Sequence, residues 1–135
     1  MKLEDIDPRL LKAVSFALAD GIKSVRDLKA SFIPFAFLED AAGKRTVHRF
    51  VAQPYEVSLE KAVSFLRDNT DAAILVIAYD GFVTMDGART DAILVRGYVN
   101  GATKTVVFAQ RYARARFLKQ FKTIGQPAFI AVADI

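Results

Sequence analysis

Three apolar runs follow one another in the middle of the chain, at residues 72–79, 92–99 and 103–108. The first has no charged residue and no polar one before its terminal tyrosine, so it predicts a central strand that is covered on both faces. Asn100-Gly101 separates the second run from the third and favours a type I′ hairpin turn. The pattern therefore predicts three consecutive antiparallel strands.

The N-terminal part predicts a helix followed by a hairpin. Asp7-Pro8 is a typical helix start, and Asp20-Gly21 predicts its end. Residues 24–30 fit either a second short helix or a turn. Residues 32–39 and 45–52 are strand-like runs joined by a polar loop, and Pro34 in the first run favours an edge strand because proline cannot donate to a ladder.

The remaining elements complete an α+β pattern. Ser58 is the expected N-cap of a helix that runs to about Asp68, with Asn69 as its stop, residues 113–122 have helical spacing, and residues 128–133 predict a last strand. We expect one domain over residues 1–135, in the order α-β-β-α-β-β-β-α-β. The expected architecture is a mostly antiparallel sheet of about six strands with the helices packed on one face.

The composition favours an interaction surface. Hydrophobic residues make up 53% of 135, more than one small core needs. Phe16 and Phe65 lie outside the apolar arcs of their helices, which makes them candidates for one shared patch at a homo-oligomer or protein interface. Both end an identical five-residue segment, 12–16 and 61–65, which we attribute to coincidence between two amphipathic helices.

The charge is unevenly distributed. The net charge is +4, yet residues 92–135 contain seven Lys/Arg and one Asp. Drawn as a helix, segment 111–122 has a basic face with one tyrosine, which suggests nucleic-acid or anion binding, although no recognised nucleic-acid motif is present. The candidate anion-binding residues are Arg111, Tyr112, Arg116, Lys119 and Lys122. The alternative is a solvated helix that covers the sheet.

An acidic loop at residues 80–91 is the other candidate site. Asp80, Asp86 and Asp91 offer oxygen ligands for Mg²⁺ or Ca²⁺, and such a site would suit a metal-dependent hydrolase. The EF-hand spacing is missing, however, and two of the three aspartates precede glycine, which is common turn chemistry. We therefore expect the three carboxylates not to bind a metal ion together.

No constellation of catalytic residues is evident. The chain has no cysteine and one histidine, and it lacks a nucleophile elbow or a glycine-rich phosphate loop. No apolar run approaches membrane-spanning length, so we expect a cytoplasmic protein. The sequence favours a non-enzymatic, self-associating binding or interaction module without a cofactor. Nucleic-acid or anion binding and metal-dependent hydrolysis remain the alternatives.

Overall fold

A computed structural model describes residues 2–27, 32–114 and 120–135. In chain order the helices are α1 (Pro8–Asp27) and α2 (Tyr55–Asp68), and a single 3₁₀ turn (Leu3–Asp5) precedes α1. The strands are β1 (Phe35–Glu39), β2 (Arg45–Arg49), β3 (Ile74–Met85), β4 (Ala88–Val99), β5 (Lys104–Arg114) and β6 (Phe121–Asp134). They form one antiparallel sheet in the order β2-β1-β3-β4-β5-β6, so the predicted α+β class with a six-stranded sheet is confirmed.

The two helices lie on opposite faces of the sheet, not on one face as predicted. Ile74 and Val76 of β3 pack in the same cluster as α1, whereas Leu75 and Ile77 pack with Ala62 and Leu66 of α2. Side chains alternate between the two faces of a strand, so an uninterrupted apolar strand requires cover on both. We call these surfaces the α1 face and the α2 face.

Helix α1 begins as predicted but does not end at Gly21. The backbone N–H of Arg9 donates to Asp7 Oδ1 at 2.8 Å, as expected of an N-cap. Gly21 is buried against the sheet, where an added Cβ would lie 2.7 Å from Ile93 Cγ2. This glycine allows close packing between α1 and the sheet, and Ile22 and Val25 continue the buried side to Asp27. Residues 24–27 are thus the end of α1, and the rest of predicted segment 24–30 lies outside the described residues.

The second helix starts one turn earlier than predicted, and Ser58 is not its cap. Ser58 Oγ instead donates to Ala52 O at 2.8 Å and accepts from Ala52 N at 2.9 Å, which attaches α2 to the segment after β2. The predicted stop is confirmed, because Asn69 is the C-cap and its Nδ2 donates to Phe65 O at 2.8 Å.

The predicted helix over residues 113–122 is wrong where the structure describes it. Ala113 and Arg114 belong to β5, and Phe121 and Lys122 belong to β6, where they pair with one another. Residues 115–119, which contain Arg116 and Lys119, lie outside the described residues. Helical spacing of the apolar residues was therefore not sufficient to identify the secondary structure of this segment.

Two turn assignments also change. Strand β3 continues through Asp80-Gly81, and β3 and β4 are joined only by Asp86-Gly87. Asp86 has φ 51° and Gly87 has φ 78°, the signs that a type I′ turn requires. Asn100 is not among the described residues with positive φ, so the predicted type I′ turn at Asn100-Gly101 is wrong.

Strand β1 is internal, although Pro34 predicted an edge. Pro34 precedes the first strand residue, Phe35, so its missing N–H does not interrupt the ladder. The edges of the sheet are β2 and β6. Within the described parts of the chain, no helix combines the length and apolar character needed to cross a membrane.

Candidate functional site

A cleft lies beside α1 on the α1 face. Helix α1 packs mainly on β3 and β4, and it covers Phe35 at the start of β1 but leaves a gap beside Phe37 and Glu39 further along that strand. The cleft measures about 460 Å³, and the rings of Phe16 and Phe37 lie 5.3 Å apart in its wall. The remaining lining residues are Arg9, Lys12, Ala13, Glu39, Arg45 and Ile74. The cleft is therefore apolar inside and mainly basic at its rim.

The repeated segment contributes to clefts on both faces of the sheet. In α1, Lys12 and Phe16 line the cleft just described, and in α2 the equivalent Lys61 and Phe65 line a second one. Phe65 packs 4.7 Å from the His48 ring and 5.5 Å from the Phe50 ring. The predicted shared patch of Phe16 and Phe65 is therefore wrong, because the sheet lies between them. Whether either residue contributes to an interface stays a prediction.

The acidic residues of segment 80–91 lie along a hairpin. Asp80 and Asp91 point to the same face of β3 and β4, whereas Asp86 lies at the turn beyond the paired strands. Within the ranges that the structure describes, no group of three metal-ligating side chains comes together. Metal binding by this trio has no geometric support in the described residues.

Asp80 is instead held by two tyrosines. Tyr112 Oη donates to Asp80 Oδ1 at 2.8 Å. Tyr55 Oη donates to Asp80 O and accepts from Asp80 N, both at 2.8 Å, at a point where β1 no longer covers the edge of β3. Partial burial raises the pKa of Asp80, and burial together with the Asp80 carboxylate raises that of Tyr112. Burial also raises the pKa of Tyr55 to about 12, and the three side chains connect β3 with β5 and with α2.

The basic segment is divided between the two faces. Tyr112 is buried on the α1 face, where it stacks on Phe121 at 5.3 Å. Paired residues of neighbouring strands point to the same face of a sheet. Arg111 pairs with Ala92, which packs on the α2 face, and Lys122 pairs with Ala113, two residues along β5 from Arg111, so both cations are on the α2 face. The structure therefore keeps Arg111 and Lys122 together and separates Tyr112 from them, while Arg116 and Lys119 are outside the described residues.

The two edges of the sheet differ strongly. Strand β2 has five residues, of which Arg45 and Arg49 are charged. Strand β6 has fourteen residues, and the eleven between Lys122 and Asp134 carry no charge. Most of β6 is exposed, including the apolar side chains of Ile130 and Val132. One edge is thus short and charged, and the other is long and apolar.

Of the residues that line the two clefts, the sequence singled out only Phe16 and Phe65 as candidate interface residues, and it did not predict the free edge of β6. The identical segments 12–16 and 61–65 contain a signal for the clefts, since each copy places a lysine and a phenylalanine four residues apart on one helix side. Comparison of the chain with models of known protein families, with curated proteins and with solved structures found no match. Functional inference therefore depends on the geometry alone.

Proposed function

We propose that the protein is a non-enzymatic interaction module that self-associates by pairing the free edge of β6 with β6 of a second copy. The observation that supports this most directly is the long, exposed and uncharged edge of β6. An unpaired edge presents N–H and C=O groups that can bind another strand, and natural proteins usually protect such edges with charge or by making them short. Strand β2 has both protections.

The charge at the end of β6 favours an antiparallel pair. If residues 128–134 pair antiparallel with the same segment of a second copy, Asp134 lies opposite Ala128 and not opposite another Asp134. A parallel, in-register pair would oppose like charges. The antiparallel arrangement also has two-fold symmetry, which closes the assembly as a dimer.

The interior of β6 limits where regular pairing occurs. The register against β5 shifts between Ala109 and Arg111, opposite a segment of β6 where Gly125 has φ 66° and where Pro127 lacks an N–H. A second shift lies between Val107 and Phe108, and it leaves Ile130 as an extra residue between Phe129 and Ala131. We assign the main contact to the C-terminal half of the strand, residues 128–134, because this half contains neither the glycine with positive φ nor the proline. A homodimer is a proposal that the composition and the free edge support, and a cytoplasmic location is a proposal that the absence of cysteine supports.

Sedimentation velocity at micromolar concentration tests this proposal with a matched pair of variants. Ile130 of β6 is 45% exposed and Val47 of β2 is 46% exposed, so each accepts a lysine at an edge with little loss of burial. We expect the native chain and Val47→Lys to sediment as dimers and Ile130→Lys as a monomer, with circular dichroism confirming that both variants are folded. A monomeric native chain contradicts the proposal, and so does a dimer that only Val47→Lys dissociates.

A further inference from the structure

We propose that the cleft between α1 and the β1–β2 hairpin binds a small amphipathic carboxylate, with its apolar chain against Phe16 and Phe37 and its acid group beside Lys12. This site is separate from the β6 edge and does not depend on self-association. The two surfaces lie at opposite ends of the strand order, since β2 and β1 are at one end and β6 is at the other.

The apolar part of the cleft is available because α1 covers the hairpin only at its Phe35 end and leaves the part beside Phe37 accessible. Phe16 is 47% exposed, although its ring contacts that of Phe37. Ala13 and Ile74 belong to the main core on this face and also line the cleft, so the cleft is continuous with the core. Its volume of about 460 Å³ is within the usual range for small-molecule sites, roughly 300–1,000 Å³, which are mostly apolar with a few placed polar groups.

The charges around the cleft select the head group. Three cations line it, together with one carboxylate, Glu39, which Arg45 Nε already contacts at 2.8 Å. Arg9 is likewise paired with Asp7 at 3.0 Å. None of the four ion pairs within residues 2–27, 32–114 and 120–135 includes Lys12. An anionic group beside Lys12 would therefore complete the local charge balance without breaking an existing pair.

The second copy of the segment provides an internal comparison. Lys61 and Phe65 line a cleft on the α2 face, but there the charged neighbours are Glu60 and Asp68. The lining of that cleft has one cation against two carboxylates, whereas the α1 cleft has three against one. An anion should therefore prefer the α1 cleft, although both contain the same lysine and phenylalanine.

Titration of the isotope-labelled full chain, followed by NMR, tests the proposal with two probes of similar apolar length, octanoate and octan-1-ol. We expect octanoate to shift the amide signals around Phe16 and Phe37 and to bind more tightly than octan-1-ol. Lys12→Gln should weaken octanoate binding about tenfold, as expected for the loss of one charge-assisted hydrogen bond, while Lys61→Gln should leave it unchanged. Phe16→Ser should also weaken binding, and Phe65→Ser should not.

Three outcomes would overturn this assignment. They are equal binding of octanoate and octan-1-ol, equal effects of Lys12→Gln and Lys61→Gln, and signal shifts that centre on α2 instead of α1. The native signal pattern in each variant shows whether it is folded. Because Ile130 lies on the far edge of the sheet, the Ile130→Lys chain should bind octanoate normally, so failure of this proposal is distinguishable from failure of the dimer.

Discussion

Tyr112 and Asp80 join β5 to β3 across the intervening strand β4, with 2.8 Å between Tyr112 Oη and Asp80 Oδ1. The hydrogen bond stabilises the ionised carboxylate, and Arg114 acts in the same direction. Partial burial, which is the largest influence, and the neighbouring Asp91 both oppose ionisation. The pKa of Asp80 is therefore raised overall, and ionised Asp80 costs folding free energy.

The first prediction concerns the pH dependence that follows from this pair. A carboxyl group whose pKa is raised in the folded state contributes stability at low pH and loses it as the pH rises through the folded-state pKa. We expect the stability of the native chain relative to Asp80→Asn to decrease from about pH 3 to pH 6, as measured by urea denaturation. The asparagine keeps an oxygen that can accept from Tyr112.

A second variant tests the role of the tyrosine. Tyr112→Phe removes the hydrogen bond that lowers the pKa of Asp80. The stability of Tyr112→Phe relative to the double variant Tyr112→Phe/Asp80→Asn should therefore fall by a larger amount as the pH rises, and the fall should extend to higher pH. A stability difference that stays constant over this pH range, or that grows in favour of the native chain, contradicts this account of the site.

The next prediction concerns two glycines that differ in what surrounds them. At Gly97 an added Cβ would lie 2.6 Å from the carbonyl oxygen of Leu75, and it would also contact Val76 Cγ1. At Gly81 it would meet only Leu94 Cδ1, at 2.8 Å, and that methyl is the end of a flexible side chain. We expect Gly97→Ala to destabilise the fold by about 1–3 kcal/mol and Gly81→Ala by clearly less.

Urea denaturation of both variants measures the difference. Because a backbone carbonyl blocks the new methyl group at Gly97, shortening the side chain in Val76→Ala should not rescue Gly97→Ala. Equal destabilisation by the two substitutions, or full rescue by Val76→Ala, would show that the strands adjust more easily than their packing suggests.

Local pattern predicted the sheet better than it predicted contacts between elements. The uninterrupted apolar run of β3 predicted burial on both faces, because strand periodicity is fixed by backbone geometry. Gly21 and Gly81 were taken as turn or stop signals, but each allows close packing against a side chain of β4, Ile93 or Leu94. A single sequence does not distinguish these two uses of glycine.

Whether each site prediction was correct depended on which face of the sheet its residues occupy. Assigning segment 111–122 to a helix placed Tyr112 on a basic surface, whereas strand alternation places it in the core and keeps Arg111 with Lys122. The common patch of Phe16 and Phe65 required both helices on one face, which the sequence does not specify. Only the spatial arrangement of the helices brings Lys12 to a cleft beside Phe37.

The last prediction concerns polyanion binding on the α2 face. The strand positions that β3 to β6 present there include three cations, Arg96, Arg111 and Lys122, and no carboxylate. By strand geometry Lys122 lies on the neighbouring strand β6 and about 7 Å from Arg111 along the strand direction. Arg96 lies on β4, the neighbour on the other side of β5, and about 14 Å from Arg111 in the opposite direction. The three therefore form a diagonal row, which suits an extended polyanion better than a compact anion.

We expect weak, salt-sensitive binding of single-stranded DNA to this row, because phosphate contacts without base contacts give dissociation constants of roughly 10⁻⁴ to 10⁻⁶ M at physiological salt. Arg111→Gln/Lys122→Gln should weaken it and reduce the salt dependence by about one or two phosphate contacts, as measured by fluorescence anisotropy of labelled poly(dT).

The matched control is Arg89→Gln/Lys104→Gln, which removes the same charge from exposed positions on the α1 face and should have little effect. A larger effect of the control pair would place binding on the other face. Nanomolar affinity for one nucleic-acid sequence would instead make nucleic-acid recognition the principal function, since a row of cations that contacts only phosphates cannot supply sequence-specific affinity.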